Sequence, residues 1–276
     1  MNLNRAQPKN LGYYSIAYCV GTKFVMKVLF LPGFLQNGHR LRQRSKALES
    51  MLNTHGLSVE YVDPPMKLLK KEQAGYKLGS TEEEAEAKWQ LVIKRDFNRC
   101  WWDYQGKGYY KGFDESFKWI VEYINKNGPY VGIVGFSQGS AMAAILTNTI
   151  TRYSMQPQFK FTICILGFAF TEPLNTDPAT RTNIFDLHTV EEYLQHVKIR
   201  ESYKSYYTRP SNFSTKVIVV FGEQDPVCPP ARVQYLARTF PKAIEIGFDG
   251  GHDVPSDADT INKIEAEIPS ISSHKL

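Results

Sequence analysis

Tyr130-Val131-Gly132-Ile133-Val134-Gly135-Phe136-Ser137-Gln138-Gly139 leads directly into a stretch, 141–150, of small and apolar residues. The apolar run through Val134 reads as a strand buried on both faces. The small residues that follow read as a helix lying close against a sheet. Between them, Gly135-Phe136-Ser137-Gln138-Gly139 matches G-x-S-x-G in the context that gives this pattern chemical meaning, a tight turn from strand to helix. Such a turn strains the serine backbone and exposes its hydroxyl, while the helix N-terminus supplies unsatisfied N–H groups that favour developing negative charge. A glycine-rich turn with an incidental serine is the plainer alternative, and the flanking strand and helix weigh against it.

Working outward, the same kind of apolar run recurs. Val25-Met26-Lys27-Val28-Leu29-Phe30-Leu31 is stopped by Pro32-Gly33, and Leu57-Ser58-Val59-Glu60-Tyr61-Val62 by Asp63-Pro64-Pro65. Phe161-Thr162-Ile163-Cys164-Ile165-Leu166, Lys216-Val217-Ile218-Val219-Val220-Phe221 and Ile244-Glu245-Ile246-Gly247-Phe248 complete the set. Helical spacing lies between them. Leu41, Ala47, Leu48, Met51 and Leu52 share one face, as do Phe113, Phe117, Ile120, Val121 and Ile124 before the stop at Asn127-Gly128-Pro129. Stretches 232–240 and 258–268 follow suit. Strands alternating with helices predict an α/β fold, a mostly parallel sheet with helices on both faces. Two stretches break the alternation: 66–112, ending in Trp101-Trp102-Asp103-Tyr104, and 168–214, rich in Pro, Thr, Asn and Tyr. Both read as cap-like excursions at the sheet edge, where long loops carry binding function. The predicted organisation is a loose extension over 1–25, a single domain over 26–268 and a flexible tail over 269–276.

Composition excludes several function classes. The 276 residues carry a net charge of +5, but eight of the 33 basic residues, and no acid, fall in 1–48, leaving 25 basic against 28 acidic residues in the body. A nucleic-acid reader needs a concentrated positive stripe, and none is present. The acid-poor start could be a transit peptide, although its single arginine before residue 40 weighs against that, and it shows no clean secretory h-region. The longest uncharged apolar run, 161–170, is far short of the roughly 18 residues that suggest a transmembrane segment. Cys19, Cys100, Cys164 and Cys228 show no C-x-x-C spacing, which argues against zinc and thioredoxin-like sites and for a reduced intracellular protein.

A serine is a poor nucleophile near neutral pH without a base, and the base needs an orienting acid. In strand-turn-helix hydrolases these follow the serine in the order acid, then histidine, on loops after later strands. Asp225, in Gly222-Glu223-Gln224-Asp225-Pro226, and His252, in Gly250-Gly251-His252-Asp253-Val254-Pro255, each stand just past a predicted strand. Glu223 and Asp253 are rival carboxylates, better read as loop charges. His39, His55, His188, His196 and His274 lack a glycine-flanked strand end before them. The second oxyanion donor should come from Pro32-Gly33-Phe34-Leu35-Gln36-Asn37-Gly38. The backbone N–H groups of Phe34 and Gln138 are the candidates, since proline has none to give. Neither G-x-G-x-x-G nor a P-loop Lys-Ser/Thr is present, so nucleotide binding is not indicated. Trp101, Trp102 and Phe168 are candidates for an acyl pocket, with core packing as the alternative.

These residues resemble the FSH family of serine hydrolases over roughly 27–268. The matching pieces are Leu31-Pro32-Gly33-Phe34-Leu35-Gln36-Asn37-Gly38, Asn127-Gly128-Pro129-Tyr130, Gly132-Ile133-Val134-Gly135-Phe136-Ser137-Gln138-Gly139, Phe170-Thr171-Glu172-Pro173, and Gly250-Gly251-His252 with Val254-Pro255. The resemblance implies an α/β-hydrolase fold, carboxylic-ester hydrolysis without a cofactor, and a triad of Ser137, Asp225 and His252. One departure is visible: Pro32 stands where the family usually has histidine. The leading expectation is a serine esterase acting on a small acyl ester. The alternatives are an acyl-protein thioesterase or lysophospholipase, and a catalytically silent binding protein of the same fold. A cytoplasmic location, also nuclear, is expected, although His274-Lys275-Leu276 resembles the S-K-L peroxisomal address.

Overall fold

Side chains alternate between two buried faces along the strands, so the sheet is covered on both sides. In the computed structural model the described residues are 26–104 and 109–271. The expectations for 1–25, for Cys19 and for the His274-Lys275-Leu276 tail lie outside them. Six parallel strands form the central sheet: β1 (Met26–Leu31), β2 (Leu57–Tyr61), β3 (Tyr130–Phe136), β4 (Phe161–Ile165), β5 (Lys216–Gly222) and β6 (Ile244–Phe248). Their order is β6-β5-β4-β3-β1-β2. The chain leaves β1 toward one edge, returns to β3 on its other side, and continues to the opposite edge. The loops after β1 and β3 therefore diverge and open a crevice at the carboxyl ends of these strands, the place where open α/β sheets hold ligands.

The helices are α1 (Gly38–Arg44), α2 (Lys46–Thr54), α3 (Glu82–Lys94), α4 (Phe113–Asn127), α5 (Gln138–Tyr153), α6 (Val190–His196), α7 (Pro230–Arg238) and α8 (Ala258–Glu267). Val28, Phe30, Val134, Phe136 and Ile163 face one side, packing with Leu48 and Leu52 of α2 and Ile261 and Ile264 of α8. Leu29, Leu31 and Ile133 face the other, against α4 and α5. Val217 and Val219 join α7 farther along that side. Each such aliphatic side chain contributes about 1.5–3 kcal/mol when fully removed from water. The small residues Ala141, Ala143 and Ala144 of α5 are wholly buried, which lets this helix lie against the strands.

The structure refines three sequence expectations. The single helical face around Leu41–Leu52 is divided between α1 and α2. The break falls at Ser45, whose Oγ donates to the Leu41 carbonyl and also bonds the Tyr61 hydroxyl. The two cap-like excursions carry regular structure of their own. The first holds α3 and two short antiparallel pairs, Met66–Lys67 with Arg99–Cys100 and Asp103–Tyr104 with Tyr110–Lys111. The second holds α6 and a ribbon of Thr171–Pro173 with Val197–Ile199. Trp101 and Trp102 belong to the core rather than to an edge loop, being 0% and 1% exposed.

At the sheet edge, Glu60 of β2 accepts hydrogen bonds from Tyr123 (2.6 Å) and Tyr130 (2.8 Å) and pairs with Lys27 at 3.3 Å. Burial works against the Glu60 charge, but these hydroxyls and the ammonium outweigh it and hold the carboxyl below its ordinary range. A carboxyl whose pKa is lower folded than unfolded stabilises the protein above its unfolded value. That contribution is lost as pH falls through the folded value. Glu60→Gln should accordingly lower the urea midpoint at pH 7, with the gap from wild type closing on acidification. A gap that widened toward acid would contradict this linkage. At the centre of the sheet, a Cβ on Gly139 would stand 2.1 Å from the Leu31 carbonyl oxygen and 2.4 Å from that of Pro32. Gly139→Ala is expected to cost about 1–3 kcal/mol, read as a lower urea midpoint, and an unchanged midpoint would show that α5 can move off β1.

Candidate active site

The turn between β3 and α5 is one residue long. Ser137 has φ 53 and ψ −117, a backbone conformation that side-chain-bearing residues rarely adopt and that costs on the order of 1–3 kcal/mol. Its N–H donates to the Ile165 carbonyl at the end of β4 (2.9 Å), and its carbonyl accepts from Ser140 and Ala141. The sharp turn is feasible only because α5 approaches β1 at Gly139. The serine side chain is thereby lifted to the carboxyl rim of the sheet.

Asp225 and His252 arrive at the same rim from the loops after β5 and β6. His252 Nε2 lies 3.0 Å from Ser137 Oγ, and His252 Nδ1 lies 2.7 Å from Asp225 Oδ2. A carboxylate only accepts, so Nδ1 carries the proton; in the neutral ring Nε2 is then the acceptor facing the serine hydroxyl. The Asp225 side chain is 0% exposed, and its other oxygen accepts from the Val227 and Cys228 N–H groups at 2.8 and 2.9 Å. This donor set fixes the carboxylate and leaves one oxygen for the imidazole. The rival acids are engaged elsewhere. Asp253 is 63% exposed and pairs with Arg44 at 2.7 Å. Burial opposes its charge, and the Arg44 guanidinium nevertheless holds its carboxyl below the ordinary range. Glu223 is exposed.

Across the serine, the loop after β1 passes beside the turn: a Cβ on Gly33 would stand 3.1 Å from Ser137 Cβ. Neither the Phe34 nor the Gln138 N–H, the two expected donors, meets an acceptor among the described residues. Two features of this loop were not legible in the sequence. The Gln138 side chain is a clamp: its Oε1 accepts from the Trp101 N–H and its Nε2 donates to the Trp102 carbonyl, each at 2.9 Å. The Trp101 indole N–H in turn donates to the Pro32 carbonyl at 2.8 Å, tying the first excursion to the loop. The candidate pocket residues are therefore divided. Trp101 and Trp102 are buried supports, and Phe168, edge-on to Trp102 at 6.3 Å, is the one with an exposed side. Arg44 was also missed. Besides pairing with Asp253 it donates to the His252 carbonyl at 3.3 Å and lies 5.3 Å from the centroid of the Phe136 ring. No spacing rule links residues so far apart in the chain.

The six-stranded parallel sheet with helices on both faces, and the serine turn at its rim, define an α/β hydrolase. The chain belongs to the family described as Serine hydrolase (FSH1), whose sequence pattern matches residues 23–264. Among curated relatives it is 28% identical over 241 residues to Esterase OVCA2 of Homo sapiens, covering 84% of this chain and 91% of that protein. It is 23% identical over 257 residues to Family of serine hydrolases 3 of Saccharomyces cerevisiae, covering 90% and 85% respectively. Among solved structures it resembles Arabidopsis thaliana SOBER1 with a TM-score of 0.50 at 13% identity, over 88% of this chain and 97% of that one, a likeness of fold. No described helix is long and apolar enough to cross a membrane.

Removing the Gln138 amide would leave a buried N–H at Trp101 and a buried carbonyl at Trp102 unpaired, each costing about 1–3 kcal/mol. Gln138→Leu is expected to lower the unfolding free energy by about 1–3 kcal/mol or more, read as a lower urea midpoint. A midpoint equal to that of wild type would mean that the clamp is not a support.

Proposed function

We propose that this hydrolase cleaves carboxylic esters through an acyl-serine intermediate on Ser137, with His252 as base and Asp225 as orienting acid. The observation that carries the reading is the continuous relay from Ser137 Oγ through the imidazole to Asp225, with contacts of 3.0 and 2.7 Å. Its chemistry follows from the proton positions. His252 Nε2 takes the hydroxyl proton as Ser137 Oγ attacks the acyl carbonyl, and the carbonyl π electrons move onto oxygen. The Phe34 and Gln138 N–H groups stabilise that oxyanion, each worth about 2.7–4 kcal/mol by analogy with measured donors. The imidazolium returns the proton to the departing alkoxide, leaving the acyl group on the serine. Water then repeats the sequence, with His252 as base, and releases the acid. Throughout, Asp225 holds the ring and balances its transient charge.

The esterase names of the relatives, OVCA2 among them, support esters as the substrate class. Pro32 does not favour a silent binding protein: its carbonyl supports the loop through Trp101, and the relay is complete without a side-chain donor at that position. We further propose that 26–268 act as one catalytic unit, since the strands from β1 to β6 form one sheet closed by α8. The buried free thiols Cys100, Cys164 and Cys228 support a reducing, cytoplasmic setting.

Ser137→Ala is expected to reduce turnover of short acyl esters by about 10⁴-fold or more and to abolish labelling by a fluorophosphonate probe. Asp225→Asn should lower kcat by a similar order while labelling becomes slow. Both are read by steady-state kinetics and gel fluorescence. Wild-type turnover by the Ser137→Ala protein would refute the nucleophile.

A further inference from the structure

Beside this rim stands a cation without a counter-charge. Arg232, in the first turn of α7, lays its guanidinium carbon 4.2 Å from the centroid of the Phe168 ring. Its Nε is closed off from solvent and has no hydrogen-bond acceptor, and among the described residues Arg232 has no ion-pair partner. Asp225, the acid on the preceding loop, already divides its oxygens among His252, Val227 and Cys228. A half-buried guanidinium with an orphaned nitrogen carries an uncompensated desolvation cost, which an anionic ligand would relieve.

A second arginine is anchored nearby: the Arg200 N–H donates to the Phe170 carbonyl at 2.9 Å, and the Phe170 ring centroid lies 6.5 Å from that of Phe168. Arg200, at the end of the ribbon strand Val197–Ile199, also has a buried Nε without an acceptor, while its Nη1 is 3.4 Å from Glu172. Burial pushes the Tyr110 hydroxyl up to about 12, and Arg232 and Arg200 both pull against that rise, so both charges bear on one phenol. Tyr110 stacks on Phe170 at 4.0 Å, giving the corner an aromatic wall. Arg200 also lines a cavity of about 640 Å³ together with Tyr104, Thr171, Arg181 and the Glu172 carboxylate. The corner is joined to the reacting groups by short stretches of chain. Phe168 lies three residues after Ile165, which holds the Ser137 N–H. Arg232 lies four residues after Cys228, which holds Asp225.

We propose that Arg232, assisted by Arg200, is a specificity-determining residue that binds a carboxylate carried by the substrate, so that this site prefers esters bearing an anionic group. This rests on Ser137 being the nucleophile. A guanidinium held over the Phe168 ring can offer a carboxylate a bidentate contact, which a lysine ammonium does not reproduce. The carboxylate belongs either to the acyl chain or to the alcohol. Arg232 acts on the substrate remote from the bond that breaks.

The test compares matched esters by kcat/KM. Monoethyl adipate against ethyl hexanoate places the charge on the acyl side, and the butyrate ester of glycolic acid against that of glycolamide places it on the alcohol. Wild type should favour the charged member of one pair by about tenfold or more, mainly through KM, with the preference shrinking in salt. Arg232→Gln should bring that ratio close to one, and Arg232→Lys should restore part of it. Equal ratios in wild type and Arg232→Gln, or no preference in either pair, overturn the proposal while leaving the esterase reading intact. Absence of both ethyl hexanoate turnover and fluorophosphonate labelling in wild type would overturn the nucleophile and this proposal together. Should Arg232→Gln not fold, inhibition of wild type decides. Adipate should compete with ethyl hexanoate at a concentration at least about tenfold below that of adipamide, and equal potency overturns the assignment.

Discussion

The backbone of Ser137 is the constraint on which the rest of the site depends. Its positive φ is unfavourable for a serine, and it persists because β3, β4 and α5 all fix its position. The Ser137 N–H is tied to the Ile165 carbonyl, and Gly139 lies against the Leu31 and Pro32 carbonyls with no room for a side chain. Strain of this kind survives only where the surrounding structure over-determines it. The turn also places the first amide of α5 beside the serine without an intrahelical partner, as at any helix N-terminus.

Around that turn the supporting contacts come from regions remote in sequence. The Gln138 clamp joins the serine turn to Trp101 and Trp102, and the Trp101 indole reaches on to Pro32. On the opposite side Arg44 holds the histidine loop through Asp253 and the His252 carbonyl. The aromatic cluster is thus mainly scaffolding, and its open flank, at Phe168, is where Arg232 stands.

The central strands were readable because burial on both faces demands continuous apolar runs, and five of the six predicted strands start at the observed residue. The sixth, β1, starts at Met26, and Val25 lies outside the described residues. The Ser45 break between α1 and α2 was not readable. The apolar spacing continues across it, since Leu41, Leu48 and Leu52 still enter one core, and the Ser45 contact with Tyr61 belongs to a different element. Trp101 and Trp102 were ambiguous for a related reason: an aromatic pair has the same appearance in a sequence whether it lines a pocket or fills a core.

The order Ser137, Asp225, His252 and the strand ends before each are local facts, and the sequence by itself determined them together with the fold class. Each depends on a few adjacent residues whose backbone preferences are strong. The tertiary structure alone decided which groups touch. The Ser137–His252–Asp225 distances, the Arg44 anchor and the Arg232 guanidinium, which has no ion-pair partner among the described residues, all depend on loops from different strands meeting at the rim of the sheet. Contacts of that kind are made across the fold, between residues whose neighbours along the chain carry no trace of one another.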